Sequence, residues 1–264
     1  WVEKPLRYSS KSQVGVNIGI LVAVITLFAL SLAIRLGDGW QWRLSERSTV
    51  EMAEDSNAFH RKFYGGAGYP YSGRIAESPA PKIVLTGDSH ARHYAAGLDD
   101  VMLRKHGINT HVNAGSSCFN LGGLSRSTVG NPWDKICAEA YSKTLNAITD
   151  ETKVVVTSYS WGFQLGVSKF IGSDEKPNIE NIAHALILLG QSIPNGRLVV
   201  IGNLPSPGLN LYEMLTRPSL GRDDVWRSYL YSDRNAENDE FNNELKRLLS
   251  SSDKVFFVDP SEYL

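Results

Sequence analysis

From residue 82 onward the chain alternates short continuous apolar runs with longer stretches whose apolar positions recur every three or four residues. The runs at 82–86, 108–114, 153–159, 197–203 and 254–258 predict strands buried on both faces, because a half-exposed strand would alternate apolar with polar. The stretches at 91–106, 134–150, 179–192 and 235–251 predict helices. In the first of these, Ala91, Tyr94, Ala95, Leu98, Val101 and Met102 share one face, and Gly107 stands where a C′ residue ends a helix. Strands separated by helices of this size imply βαβ units with right-handed crossovers. The expected architecture is a three-layer α/β sandwich around a parallel sheet of about five strands, with ligands at the carboxyl ends of the strands.

A different pattern precedes it. Residues 14–34 form an apolar run interrupted only by Asn17, Thr26, Ser31 and two glycines, and Arg35 closes it. As a helix this run rises about 30 Å, enough to cross a bilayer core. It has no polar face for a soluble packing and is longer than the apolar part of a cleaved signal peptide. One transmembrane helix is therefore expected over 14–36, with the membrane as a partner through residues 14–34. Lys4, Arg7 and Lys11 before it and Arg35, Arg43 and Arg47 after it nearly balance, so charge alone does not orient it.

Residues 37–81 carry a weak helical pattern over 46–63, broken by Gly65-Gly-Ala-Gly-Tyr-Pro70. Their aromatics are too many for a simple flexible linker, so this segment is expected to pack on the domain that follows. The chain has 264 residues, 42% hydrophobic and 21% charged, with a net charge of −1. That is ordinary globular composition, with no basic excess to suggest a nucleic acid partner. No phosphate loop, heptad, repeat or metal-ligand cluster stands out. Only two cysteines occur, Cys118 and Cys137, flanking a loop rich in Gly, Ser and Asn. In an exported domain their spacing suits a disulfide; two packed free thiols are the alternative.

The chemistry concentrates at Lys82-Ile-Val-Leu-Thr-Gly-Asp-Ser-His90, where an apolar strand breaks at Gly87 and Ser89 falls at the start of a helix. Such a turn holds a hydroxyl clear of the backbone and aims main-chain N–H groups at the same point, as nucleophilic acyl chemistry requires. The plainer reading is a βα turn in which Asp88 or Ser89 only caps the helix.

Gly87-Asp88-Ser89-His90 resembles block I of the SGNH (GDSL-like) hydrolase superfamily, in the form found in domains fused to membrane acyltransferase-3 proteins. Asn113-Ala-Gly-Ser-Ser-Cys118, Val154-Val-Val-Thr-Ser-Tyr-Ser-Trp161 and Val200-Ile-Gly-Asn-Leu-Pro205 are similar to further stretches of that group. The resemblance covers 82–264 and implies an SGNH, flavodoxin-like fold there. Trp1-Val-Glu-Lys-Pro-Leu-Arg7 looks like the closing segment of an acyltransferase-3 membrane domain, so residues 1–13 are expected to end such a domain and the chain to begin inside a longer protein.

By the same resemblance Ser89 is the nucleophile and its own N–H an oxyanion donor, with Asp88 and His90 supporting it. The second oxyanion N–H falls to Gly115, with Ser116 or Ser117 as alternatives. The family's asparagine donor after the third strand is replaced by Ser158-Tyr-Ser-Trp161, and Asn203 lies on a later strand. The family's Asp-x-x-His pair, which supplies the base, would follow the last strand. The chain stops at Asp259-Pro-Ser-Glu-Tyr-Leu264, so either it is a fragment lacking that pair or one of its six histidines (60, 90, 93, 106, 111, 184) serves instead. Aromatic residues past the strand ends suit stacking on sugars as well as core packing, and Trp161 is the expected substrate contact.

The resemblance thus implies an O-acetyltransferase anchored in the inner membrane, with residues 37–264 in the periplasm. Its acceptor would be a cell-envelope polysaccharide, first lipopolysaccharide O-antigen and then peptidoglycan. The domain itself would bind no cofactor, and acetyl-CoA would be the donor through the protein's own upstream membrane domain. A carbohydrate acetylesterase, with water in place of the sugar, and a non-catalytic accessory domain are the alternatives.

Overall fold

The computed structural model describes residues 13–36, 66–115, 117–127, 132–204 and 233–263. The chain divides into two compact units; among the described residues the first holds one helix and the second everything from residue 66 onward.

That first helix, α1 (Gln13–Leu36), has 24 residues, and within it Asn17–Leu36 is long and apolar enough to cross a membrane. Ile18, Leu21, Val24, Phe28 and Leu36 all stand exposed. Its one polar interruption with a partner, Thr26, returns its hydroxyl to the Val22 carbonyl at 2.8 Å, so no polar face results.

The second unit is built on a sheet of six strands. In chain order they are β1 (Ser72–Arg74), β2 (Pro81–Gly87), β3 (Asn109–Ala114), β5 (Val154–Ser158), β7 (Arg197–Ile201) and β8 (Val255–Val258). The order across the sheet is β1-β3-β2-β5-β7-β8, parallel throughout except for the antiparallel β1 edge. Five of the six match the expected runs. The sixth, β1, has no apolar signal because it is a three-residue edge, held to β3 from Ser72↔Asn113 to Arg74↔His111. A separate two-stranded ribbon, β4 (Leu124–Arg126) with β6 (Ser168–Phe170), also went unread, again because three residues carry no period.

The strands are covered on both faces. On β2, Val84 points to one side and Ile83 and Leu85 to the other, as strand alternation requires. Val84, Val155, Leu198 and Val200 meet Ile182, Leu186 and Leu189 of α6 (Ile179–Gln191) and Leu245 and Leu249 of α7 (Asp233–Leu249). Leu85, Val112 and Val156 meet Ala91 and Ala95 on the other face. Asn178 begins α6 with a reciprocal capping box to Asn181, satisfying orphan amides of its first turn.

The expected helix over 91–106 is broken. It becomes α2 (Ser89–Arg92), α3 (Ala95–Gly97) and a π-helical segment over Leu98–Lys105. The wider π turns carry Val101 off the buried face, where it is 43% exposed, and turn Asp99 inward to receive the Tyr69 hydroxyl and the Arg104 guanidinium. Gly107 ends the segment with φ +65, as a C′ glycine does. Among the described residues the remaining α-helices are α4 (Trp133–Ala147) and α5 (Trp161–Val167), and a 3-10 turn spans Pro260–Tyr263. Cys118 and Cys137 form a disulfide with Cα atoms 5.5 Å apart, which ties the loop after β3 to α4 and excludes the free-thiol alternative.

Candidate active site

The carboxyl edge of the sheet gathers the turns after β2, β3 and β5. Gly87 ends β2 opposite Ser158 with φ +145, and a Cβ there would lie 2.1 Å from the Ser158 carbonyl oxygen. Only glycine allows the chain to leave the strand so close to its neighbour.

Asp88 follows and locks the turn. Its Oδ1 accepts from the His90 N–H at 2.8 Å, capping α2, while Oδ2 accepts from the Ser160 N–H at 3.0 Å and the Gln164 Nε2 at 2.9 Å. The side chain is buried, and three donors on one carboxylate form a charge-assisted anchor. Asp88 thus caps the helix and also fastens the β2 turn to the first turn of α5.

Ser89 is then the first residue of α2 and is exposed, standing out of an otherwise buried turn. Its N–H and its hydroxyl both stand at the first residue of this single-turn helix. His90 is half-buried, its ring stacked on that of exposed His93 with centroids 6.1 Å apart.

Beneath the turn lies a buried polar layer that sequence reading did not anticipate. Asn120 Nδ2 donates to the Asn113 carbonyl at 3.0 Å, Thr86 Oγ1 at 3.3 Å and the Gly87 carbonyl at 3.4 Å. Asn113 Nδ2 reaches the Ala140 carbonyl and Thr144 Oγ1, which also meets Thr86 Oγ1. The Tyr159 hydroxyl accepts from the Asn120 N–H at 3.0 Å, and burial pushes its pKa far up, so it stays neutral. Such a network fixes the turn because each buried polar group would be costly to strand. The only sequence signal for Asn120 is its place two residues after Cys118.

Two expected site residues are corrected by the geometry. The Gly115 N–H donates to the Gly87 carbonyl at 3.1 Å, so it is spent on the turn rather than offered as an oxyanion donor. Its φ of +105 and the Tyr71 ring, 2.5 Å from where a Cβ would stand, account for glycine there. Among the alternatives for that role, Ser117 is exposed and Ser116 lies outside the described residues. Trp161 is completely buried: its Nε1–H donates to the Ile201 carbonyl at 2.9 Å and its ring packs against Tyr159, Phe119 and Phe241. Its position after a central strand carries it into the core, not onto a substrate.

Aromatic residues do reach this edge elsewhere. Phe163 on α5 is 55% exposed, and the Arg126 guanidinium lies 5.8 Å from its ring centre and 5.1 Å from that of Trp133. Among the described residues no cluster of His, Cys, Asp and Glu has the makings of a metal site. A cavity of about 520 Å³ lined by Arg74, Pro81, His111, Asp150 and Glu151 opens at the opposite, amino edge of the strands.

A doubly covered, mostly parallel sheet with an exposed serine at a helix start, beside a buried aspartate, is an arrangement that can serve nucleophilic acyl chemistry. Residues 56–264 match the family model of the SGNH domain fused to AT3 domains, and the chain belongs to that SGNH family. No curated protein matches it in sequence. A solved structure from Streptococcus pneumonia, assigned provisionally as a platelet activating factor, is similar at 14% identity and a TM-score of 0.40, covering 87% of this chain and 80% of its own.

Proposed function

We propose that this chain is the extracytoplasmic SGNH domain, with its membrane anchor, of an O-acetyltransferase acting on a cell-envelope polysaccharide. Lipopolysaccharide O-antigen is the first acceptor class and peptidoglycan the second. The observation that carries the reading is Ser89: an exposed hydroxyl at a helix start, on a turn made rigid by Asp88 and Gly87. The family description, an SGNH domain fused to AT3 domains, supports a membrane partner; in this reading residues 1–13 end that partner and residues 37–81 follow the anchor. The length of α1 supports the anchor, and the disulfide suits an oxidising compartment such as the periplasm.

In this mechanism a base removes the Ser89 proton while Oγ attacks the acetyl carbonyl delivered from acetyl-CoA through the membrane domain. The tetrahedral oxyanion is stabilised at the α2 N-terminus and collapses to acetyl-Ser89 as the leaving group departs with a proton. A sugar hydroxyl then attacks the ester, releasing O-acetyl sugar and the free serine. Water in the second step would give an esterase.

The test uses the full-length gene product in detergent with acetyl-CoA and candidate saccharides, beside Ser89→Ala. Acetyl sugar that disappears in the variant supports transfer. Free acetate alone, lost in the variant, moves the reading to an esterase, and unchanged product formation removes Ser89 from the mechanism.

A further inference from the structure

We propose that Arg126, Trp133 and Phe163 form an acceptor subsite for a carboxylate-bearing sugar residue, an inference that rests on the polysaccharide reading above. Arg126 ends β4, where it pairs with Ser168 of the ribbon partner β6, directly after α5. Its guanidinium lies 5.1 Å from the centre of the Trp133 ring and 5.8 Å from that of Phe163. Phe163 precedes Gln164, whose amide holds the carboxylate of Asp88, so the slot and Ser89 share the carboxyl edge of the sheet.

The charge arrangement points to an anion. Arg126 Nε is buried without a hydrogen-bond partner, and among the described residues no carboxylate pairs with this guanidinium. The acidic residue beside Trp133 is taken up elsewhere: Asp134 accepts from the Gly172 N–H at 3.2 Å and faces Lys169 at 3.7 Å. A guanidinium with no carboxylate partner among the described residues, beside two aromatic rings of which one is exposed, matches a uronate-type residue. The rings take the sugar face and the planar fork takes the carboxylate, a pairing in which Lys would not substitute for Arg.

The probes are oligogalacturonate and its methyl ester, which share a sugar backbone but differ in charge, titrated calorimetrically into the full-length protein in detergent. The acid is expected to bind about tenfold tighter than the ester, the discrimination one charge-assisted bidentate contact supplies. Arg126→Gln should abolish the preference, Arg126→Lys should restore only part of it, and Phe163→Ala should weaken both ligands while the melting temperature holds. Equal binding of acid and ester, a preference that survives Arg126→Gln, or no binding of the acid overturns the subsite. Product formation by the unaltered protein keeps the two questions apart: acid preference with no acyl product would keep the subsite and sink the transferase reading.

Discussion

The Oδ2 of Asp88 accepts a hydrogen bond at 3.0 Å from the main-chain N–H of Ser160, 72 residues further along the chain. Through this bond two strand ends become one rigid turn, and the serine beside Asp88 inherits its position from both. Asp88→Ala strands the Ser160 N–H and the Gln164 amide in a buried site. Loss of charge-assisted bonds of this kind predicts destabilisation by about 3 kcal/mol or more, read as a lowered urea midpoint.

Gly87→Ala should be at least as harmful. It demands φ +145 of an L residue and places a methyl 2.1 Å from the Ser158 carbonyl oxygen. A cost of about 3 kcal/mol or more, or failure to fold, is expected by thermal unfolding. Ser89→Ala, at an exposed position two residues further on, should leave the melting temperature close to that of the unaltered protein.

Trp161 provides a test of core against binding. Trp161→Ala should cost about 3–5 kcal/mol through the cavity it opens. Trp161→Phe keeps most of the packing and loses only the bond to the Ile201 carbonyl, so a milder loss with an unchanged KM for saccharide is expected. A raised KM without loss of stability would return Trp161 to the substrate site.

Breaking the Cys118–Cys137 link, by Cys→Ser at both positions, reopens a span of 19 residues and should lower stability by about 3 kcal/mol. Adding reductant to the unaltered protein should lower its melting temperature, and adding it to the double variant should change nothing.

His111 makes a prediction for pH. Burial, aided by Arg74, lowers its pKa from the ordinary histidine value, so the folded state favours the neutral ring. The unfolded chain then binds the proton more readily. This contribution is fully present above the unfolded pKa of about 6.5 and is lost as pH falls through that value towards the lower folded one. The urea midpoint of the unaltered protein should therefore fall more steeply between about pH 7 and 5 than that of His111→Gln.

The parts of this fold legible in the sequence are those whose signal is local. Continuous apolar runs announced five strands because both faces of the sheet are covered, and Gly87-Asp88-Ser89-His90 announced its turn because Gly87 and Asp88 each answer a backbone need there. The edge strand at Ser72–Arg74 and the ribbon ending at Arg126 are too short to show a period. Asn120, Gln164 and Tyr159 act across 33 to 76 residues of chain, and no local pattern marks a long-range hydrogen bond. Trp161 misled for a related reason: its place after a strand was visible, but whether its ring turned inward depended on Tyr159, Phe119 and the Ile201 carbonyl.

The central claim is that Ser89 carries the acyl group. The most direct measurement is peptide mapping by mass spectrometry of the full-length gene product quenched with acid after exposure to isotopically labelled acetyl-CoA without acceptor. The account predicts one labelled acetyl group on the peptide containing Ser89, discharged when saccharide is added before the quench. Label that resides on another residue, or that forms equally in Ser89→Ala, would contradict it.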